Sequence, residues 1–307
     1  MLQRLCEVEI RHQSPDICLK MKAMFKRQFL LWALWAAPLT FLLAQSPKAK
    51  PFQLGVVEEI NSAILHETRV LNIYLPEGYS PDSAALYPVI YLLDGTADED
   101  FIHVSGLVQF CNFPWIEVLP KSIVVGIANV DRKRDFTFPT SIADDKKTFP
   151  TTGGSEAFIN FLEKELQPYV QKHYKVSADK MLIGQSLGGL LATEILLKKP
   201  ALFDKYIIVS PSLWWDNGSL LDTPSAVLQA DYQTRTDVYI GVGKEGLTPG
   251  DIPRVMEVDA NLLAEKLKNA AGKNLHVYFD YLPLEDHATI AHQAIFNAFR
   301  MLYPPGE

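Results

Sequence analysis

The sequence predicts an α/β fold in which helices cover both faces of a mostly parallel central sheet. Three observations support this prediction. Short apolar runs of the kind that suits strands buried on both faces recur along the chain. Helical patterns separate many of these runs, as expected when parallel strands alternate with helices. One run leads through Gly-x-Ser-x-Gly, at residues 184–188, directly into a helix-forming stretch that ends before Pro200.

The N-terminal segment has the pattern of a secretory signal peptide. Its basic region contains Lys20, Lys22, Lys26 and Arg27. Sixteen residues without a charge follow, 29–44, and end in Ala44. This stretch is shorter than the roughly 20 residues that a membrane-spanning helix requires. We therefore predict cleavage after Ala44, with a retained anchor helix as the alternative, and translation that starts at Met21 or Met24.

The predicted mature chain is acidic and has one cysteine. The full chain has 29 Lys and Arg and 36 Asp and Glu, of which residues 1–44 contain six and three, so the mature chain has a net charge of −10. This balance argues against nucleic-acid binding and suits a secreted or periplasmic protein. Cys111 has no cysteine left to pair with, and no zinc-binding pattern occurs. We expect no metal, no cofactor and no membrane span after cleavage; the oligomeric state is left open.

After a linker at residues 45–53, residues 54–307 are predicted to form one domain. Two β-rich segments open it, at 54–60 and 64–75, and the second alternates weakly, which favours an antiparallel edge. Buried strands are predicted at residues 88–93, 122–128, 206–209, 237–242 and 275–281. Helices are predicted at residues 155–174, with a kink at Pro168, and at 258–271 and 289–302. Residues 131–152 are polar and are predicted to form a long loop.

Ser186, within Gly-x-Ser-x-Gly, is the candidate nucleophile. A serine hydroxyl aimed out of a sheet needs a cramped turn between strand and helix, and Gly184 and Gly188 allow the two backbones to approach. An idle serine in a Gly-rich turn is the alternative, because so short a pattern also arises by chance. The strand before the turn and the helix after it favour the catalytic interpretation.

His287 is the candidate general base. In open α/β sheets functional residues gather at the carboxyl ends of strands, and His287 stands between the last predicted strand and the last helix. An imidazole there can take the proton of a serine hydroxyl at neutral pH. His292 is the nearest competitor, but it lies inside the predicted helix, on the side away from its apolar residues, where a solvated surface role is expected.

An oxyanion hole requires backbone N–H groups that point at the developing charge. Leu187, directly after the serine, is expected to supply one, and Gly95 or Thr96, in the turn after an early buried strand, the other. The alternative for this turn is an ordinary tight turn without a catalytic role.

Several stretches resemble the putative-esterase family of α/β-hydrolases, which includes esterase D and siderophore esterases and is related to feruloyl esterases. They are residues 89–95, 134–135, 153–154, 184–189, 210–215 and 286–287, within a resemblance that spans nearly all of residues 54–303. The resemblance implies an α/β-hydrolase fold with Ser186 as nucleophile and His287 as base. It also implies that Trp214 and Trp215 line a substrate cleft.

The sequence leaves open which acid supports His287 as the third member of a catalytic triad with Ser186. The loop after the strand at 237–242 usually supplies the acid, and Glu245 is its first carboxylate. Asp251 is the runner-up, and a Ser186–His287 dyad is the third alternative. Residues 241–246 also match Gly-x-Gly-x-x-Gly, but loop residues follow where a dinucleotide site requires a helix.

We therefore expect an exported serine hydrolase that cleaves carboxylic esters through an acyl-enzyme on Ser186. Siderophore-type and feruloyl-type esters are the candidate small-molecule substrates. A basic patch of Arg132, Lys133 and Arg134 would offset the acidic charge of the chain for an anionic substrate. The alternatives are an acyltransferase on the same fold and a noncatalytic binding or scaffold protein.

Overall fold

The structure is a computed structural model that describes residues 49–249, 252–270 and 272–304. The predicted signal segment and Asp251 lie outside the described residues. The chain divides after Phe52 into two units, of which the second, Gln53–Glu307, holds the sheet. Within the described ranges, no helix is long and apolar enough to cross a membrane.

An eight-stranded sheet forms the centre of the part of the chain that the structure describes. Its strands are β1 (Val56–Ser62), β2 (Glu67–Tyr74), β3 (Tyr87–Leu92), β4 (Ile123–Ile127), β5 (Val176–Gln185), β6 (Lys205–Val209), β7 (Thr236–Gly243) and β8 (Leu275–Leu282). They lie in the order β1-β2-β4-β3-β5-β6-β7-β8. β2 pairs antiparallel with β1 and β4, and the other neighbours run parallel. The predicted fold class and antiparallel edge are confirmed.

Helices cover both faces of this sheet. They are α1 (Asp100–Cys111), α2 (Arg132–Phe136), α3 (Ala143–Thr148), α4 (Ser155–Phe161), α5 (Gln167–His173), α6 (Leu187–Lys198), α7 (Met256–Lys268) and α8 (Ile290–Leu302). The buried residues of α1 and α8 belong to one hydrophobic core, and those of α4 to α7 belong to another. In β3, Tyr91 packs in one core and Leu92 in the other, and each is 1% exposed. Coverage on both faces explains why the parallel strands are continuous apolar runs.

Two predicted stretches differ from the structure. Residues 131–152, predicted as one loop, contain α2 and α3, and Asp131 caps α2 by accepting a hydrogen bond from the amide of Arg134 at 3.0 Å. The helix predicted at residues 155–174 is interrupted by a π-helical turn, Leu162–Leu166, just before Pro168. Proline has no amide hydrogen and its ring crowds the preceding turn, so a wider turn accommodates it.

Helix α1 is absent from the sequence predictions. It contains Gly106 and several β-branched residues, which have low helix propensity. Its apolar side chains also occur all round the helix: Val104 is fully buried, whereas Ile102 is 55% exposed. Without a single apolar stripe, the sequence gives no helical periodicity to detect.

Candidate active site

The Gly-x-Ser-x-Gly stretch folds as the predicted strand, sharp turn and helix. β5 ends at Gln185, Ser186 has the positive φ of 59° that residues other than glycine rarely adopt, and α6 begins directly afterwards. A Cβ on Gly184 would lie 2.4 Å from the carbonyl O of Gly188, whereas one on Gly188 would meet only ordinary contacts. The turn therefore requires glycine at 184, and it holds the serine hydroxyl at the carboxyl end of the sheet.

The structure brings His287 to Ser186. Nε2 of His287 lies 3.1 Å from Oγ of Ser186, within hydrogen-bond distance. The histidine stands in the loop between β8 and α8, so two separate strand ends meet at this contact. This geometry places Nε2 where it can take the hydroxyl proton. The competitor His292 points elsewhere, with Nδ1 2.8 Å from Nε2 of His103 on α1.

The carboxylate of Glu245 completes a line of three side chains. Its Oε2 lies 2.6 Å from Nδ1 of His287, and its side chain is only 3% exposed. An acid in this position can fix the tautomer and the orientation of the imidazole. Of the arrangements that the sequence leaves open, this geometry favours Glu245. The runner-up, Asp251, is not among the described residues.

The other carboxylate oxygen of Glu245 is held separately. Oε1 accepts a hydrogen bond from the hydroxyl of Ser210 and another from the amide of Gly243 at 3.2 Å. Burial alone would raise the pKa of Glu245, but the hydrogen bond from His287, those from Ser210 and Gly243, and the charge of His287 outweigh it and lower the pKa. The carboxylate is therefore ionised at neutral pH, as support of His287 requires.

Sequence reasoning does not identify Ser210, although it lies directly after β6. Ser210 is fully buried and has a positive φ of 42°. Asp94 after β3 and Ser186 after β5 share this unusual backbone, with φ of 54° and 59°. Strained backbone at strand ends often accompanies functional sites, but it cannot be seen in a sequence without glycine at these positions.

The predicted oxyanion hole needs one correction, at Gly95. Its amide N–H donates to the carbonyl of Ile127 at 3.0 Å, so it is not available to a developing oxyanion. Glycine is needed there for packing against β4, because a Cβ would lie 2.4 Å from Cα of Gly126. Thr96 and Leu187 remain as candidates. Leu187 is the first residue of α6, where an amide N–H has no acceptor within the helix.

A charged network joins this turn to the nucleophile. Arg132 donates to both carboxylate oxygens of Asp94, from Nε at 2.6 Å and from Nη2 at 2.8 Å. Asn129 donates to the same carboxylate at 2.6 Å. Nη2 of Arg132 also lies 3.3 Å from the carbonyl O of Gln185, the residue before the nucleophile. The paired guanidinium and carboxylate fix the turn after β3 relative to Ser186.

A small cavity of about 170 Å³ opens beside Ser186. Phe149, Trp214 and Trp215 supply its aromatic walls. Trp214 is half-buried, whereas Trp215 is 1% exposed and its Nε1 donates to the carbonyl of Phe138 at 2.9 Å. Both tryptophans therefore line the cavity, and Trp215 is a core residue as well. A planar apolar group suits such walls.

A second, polar cavity of about 350 Å³ also borders Ser186. Its lining residues are Asp94, Glu99, Asp100, Arg132, Gln185 and Ser186. Burial, together with the charges of Asp94 and Glu99, raises the pKa of Asp100 to about 6, against the opposing charge of Arg132. The charge on this side of the site therefore changes at mildly acidic pH.

The expected basic patch is smaller than the sequence indicates. Arg132 is paired with Asp94, and Arg134 forms ion pairs with Glu67 and Asp135. Lys133 is exposed and has no ion-pair partner among the described residues. Its Nζ lies 5.0 Å from the ring centroid of Phe149, at the wall of the aromatic cavity. Lys133 alone therefore offers an unpaired positive charge to a substrate there.

A cavity of about 900 Å³ lies at the opposite end of the sheet. It includes Asp179, six residues before the end of β5, which places it roughly 20 Å from the nucleophile. Several charged groups at this cavity form ion pairs: Asp179 with Lys205, and Asp237 with Arg235 and His276. Nowhere in the described ranges do three or more His, Cys, Asp or Glu side chains form a group that could hold a metal ion.

Comparison with known proteins shows the family of this chain. The sequence profile of the family described as "Putative esterase" matches residues 62–289. The chain belongs to this family. The match contains the nucleophile turn, Glu245 and His287.

Similar proteins include several that are named as esterases. The chain is 28% identical over 255 residues to the ferri-bacillibactin esterase BesA of Bacillus subtilis, covering 78% of this chain and 88% of that protein. It is 32% identical over 150 residues to a siderophore triacetylfusarinine C esterase of Aspergillus fumigatus, covering 46% and 50%. A solved IroE-like serine hydrolase from Shewanella oneidensis is 32% identical, with a TM-score of 0.71 and coverage of 81% and 80%. The family and these relatives support ester hydrolase activity.

Proposed function

We propose that this chain is an exported serine hydrolase that cleaves carboxylic esters through an acyl-enzyme on Ser186. The observation that carries the proposal is the line of contacts from Oγ of Ser186 to His287, at 3.1 Å, and from His287 to Glu245, at 2.6 Å. The chain order serine, acid, histidine is that of α/β-hydrolases. Similarity to a serine hydrolase supports the same chemistry.

In the acylation step, Nε2 of His287 takes the proton of Ser186 while Oγ forms a bond to the ester carbonyl carbon. Glu245 stays ionised and holds the Nδ1–H of the imidazolium. The amides of Leu187 and Thr96 are the proposed donors to the tetrahedral oxyanion. When the intermediate collapses, the bond to the alcohol oxygen breaks, and that oxygen takes the proton from Nε2.

In the deacylation step, a water molecule gives a proton to Nε2 of His287 and its oxygen attacks the acyl carbon. Collapse of the second intermediate returns the proton to Oγ of Ser186 and releases the carboxylic acid. An acyltransferase would use an alcohol in place of water. Similarity to proteins that are named as esterases favours hydrolysis as the proposal.

The proposed substrates are siderophore-type esters with an aromatic acyl part, with feruloyl-type esters as the alternative. Phe149 and Trp214 line the cavity next to Ser186, and these aromatic walls suit a planar ring in the acyl part of the ester. Lys133 adds a positive charge at its wall, which suits a phenolate or carboxylate substituent. Relatives that are named as siderophore esterases support this substrate class.

The nucleophile is tested by labelling with a fluorophosphonate. The wild type should react, and Ser186→Ala should lose the label and at least about three powers of ten of p-nitrophenyl acetate turnover while remaining folded. Ser212→Ala is the matched control, because the hydroxyl of Ser212 lies 3.4 Å from Oγ of Ser186. This variant should still be labelled. Substantial turnover by Ser186→Ala would refute the assignment, and an unreactive wild type would favour the binding or scaffold alternative.

The substrate is tested with siderophore triesters, feruloyl esters and short alkyl esters, each with and without an alcohol acceptor. A higher kcat/KM for the aromatic esters supports the proposed acyl site, and a preference for acetate esters contradicts it. The products decide between free acid, from hydrolysis, and a new ester, from acyl transfer.

Export is proposed from residues 1–44, which lie outside the described residues. Expression of the full chain followed by mass spectrometry of the N-terminus should find a mature protein that begins at Gln45 in the periplasm or the medium. An uncleaved protein that stays in the membrane fraction would instead support the anchor helix.

A further inference from the structure

Gln185, the residue before the nucleophile, makes a contact that the triad does not include. Its side-chain Nε2 donates a hydrogen bond to the backbone carbonyl O of His287 at 2.6 Å. The contact joins the end of β5 to the loop that carries the base, 102 residues further along the chain. It therefore acts on the position of the His287 backbone, whereas Glu245 acts on the imidazole ring.

The loop that carries His287 has few other attachments. Leu284 is 96% exposed, and residues 286–289 are exposed as well. Its internal shape comes from Asp286, whose carboxylate accepts hydrogen bonds from the amides of Ala288 and Thr289 at 2.9 and 3.0 Å. These bonds shape the loop but do not attach it to the sheet, so they cannot set its distance from Ser186.

Two hydrogen bonds connect the main chain of this loop to neighbouring strands within the described residues. The amide of Lys244 donates to the carbonyl of Glu285 at 2.8 Å, and Gln185 donates to the carbonyl of His287. Of the two, the bond from Gln185 alone reaches the base itself. Loss of this bond leaves His287 attached to the site through its ring contacts with Ser186 and Glu245.

The backbone of Gln185 is itself firmly placed. It pairs with Val209 of β6 in the sheet, and its carbonyl accepts from Arg132. A side chain that leaves a fixed backbone and binds an exposed loop is suited to set a distance. The distance at stake is the 3.1 Å between Nε2 of His287 and Oγ of Ser186, which the proton transfer requires.

We propose that Gln185 is a positioning residue that holds the backbone of His287 at proton-transfer distance from Ser186. The inference rests on the proposed function. A displacement of about 1 Å at a reacting group costs on the order of 100-fold in rate. Gln185→Met, which keeps the length of the side chain and removes the donor, should therefore lower kcat about 10- to 100-fold and change KM by less than about twofold.

Two further variants separate the hydrogen bond from the shape of the side chain. Gln185→His places a ring N–H at similar reach and should restore most of the lost kcat. Gln233→Met is the matched control, because Gln233 is exposed and its amide also donates to a backbone carbonyl, that of Asp231, at 2.9 Å. It should leave kcat unchanged.

A double-mutant cycle with His287→Ala tests whether Gln185 acts through the base. Since the residue is proposed to act through His287, Gln185→Met should have less than about a twofold effect on the residual turnover of His287→Ala. Folding is monitored by the thermal midpoint of each variant.

Failure of the proposal for Gln185 can be distinguished from failure of the proposed function. If the wild type reacts with fluorophosphonate and Ser186→Ala does not, the nucleophile stands. An undiminished kcat in Gln185→Met, or an equal loss in the presence and absence of His287, would then overturn the role of Gln185 alone. A higher KM with an unchanged kcat would also overturn the proposal, because it would mean that Gln185 contacts the substrate.

Discussion

Oε2 of Glu245 lies 2.6 Å from Nδ1 of His287, although 42 residues separate them in the chain. The carboxylate comes from the loop after β7 and the imidazole from the loop after β8, and these strands are parallel neighbours. Adjacent parallel strands end at the same edge of a sheet, so their following loops can meet. The contact gives the proposed nucleophile a base with a fixed tautomer.

We predict that Glu245→Gln lowers kcat by about two to four powers of ten with little change in KM. The amide cannot accept the Nδ1–H as a carboxylate does, so the imidazolium of the transition state loses its stabilisation. Steady-state kinetics with p-nitrophenyl acetate measures this loss. Asp251→Asn is the matched comparison and should leave kcat nearly unchanged. A large loss of kcat in Asp251→Asn, with kcat unchanged in Glu245→Gln, would show that Asp251 supports His287.

The lowered pKa of Glu245 also predicts a dependence of stability on pH. Because its folded-state pKa lies below the unfolded value, its stabilising contribution is present above the unfolded pKa and is lost as pH falls through the folded pKa. The difference in the free energy of unfolding between wild type and Glu245→Gln should therefore shrink as pH is lowered. Urea titrations across the acidic range measure this difference, and a constant difference would contradict it.

The two adjacent tryptophans should respond differently to substitution. Trp214→Ala opens the aromatic cavity and should lower kcat/KM for aromatic acyl esters at least about threefold, with acetate esters little affected. Trp215→Ala should instead lower the free energy of unfolding by about 3–5 kcal/mol, because Trp215 is fully buried. Substrate panels and urea unfolding measure the two effects. Equal losses of stability would contradict this division.

Lys133→Met should change the charge preference of the acyl site. We expect kcat/KM to fall about two- to fivefold for an aromatic ester with an anionic substituent and to stay constant for its neutral counterpart, since an exposed charge contributes about 0.2–1 kcal/mol. The difference should shrink in high salt. Lys147→Met, at an exposed position on α3, is the control and should show no such preference. An equal effect on both esters would refute the charge argument.

The contact between His103 and His292 predicts a further pH effect on stability. Burial, and then the neighbouring His292, lower the pKa of His103 from its ordinary 6.5. The unfolded chain protonates His103 at higher pH than the folded chain does. The contribution of neutral His103 to the free energy of unfolding is therefore full above pH 6.5 and is lost as pH falls through the lowered pKa. His103→Gln should therefore flatten the fall in unfolding free energy below that pH. An unchanged slope in urea titrations would contradict this prediction.

Local sequence patterns were sufficient for much of the fold. Continuous apolar runs predict β3, β4, β6 and β7, because strands covered on both faces need apolar side chains on both. The stretch at residues 275–281, predicted as a buried strand, is instead β8 at the edge of the sheet, where it is covered less completely and its residues are partly exposed. The same reasoning fails for α1, whose apolar residues lie all round the helix. It also fails at residues 131–152, where α2 and α3 are short and polar and α2 is capped by Asp131.

The sequence by itself determined the nucleophile turn, because the steric demands on Gly184 and Ser186 act between near neighbours in the chain. Only the tertiary structure brought the carboxylate of Glu245 to His287, showed that the amide of Gly95 is occupied, and revealed Gln185 and Ser210 as contacts of the site. Each of these contacts closes between the ends of different strands. No local pattern encodes them, because the distances between those ends are set by the order and register of strands across the whole sheet.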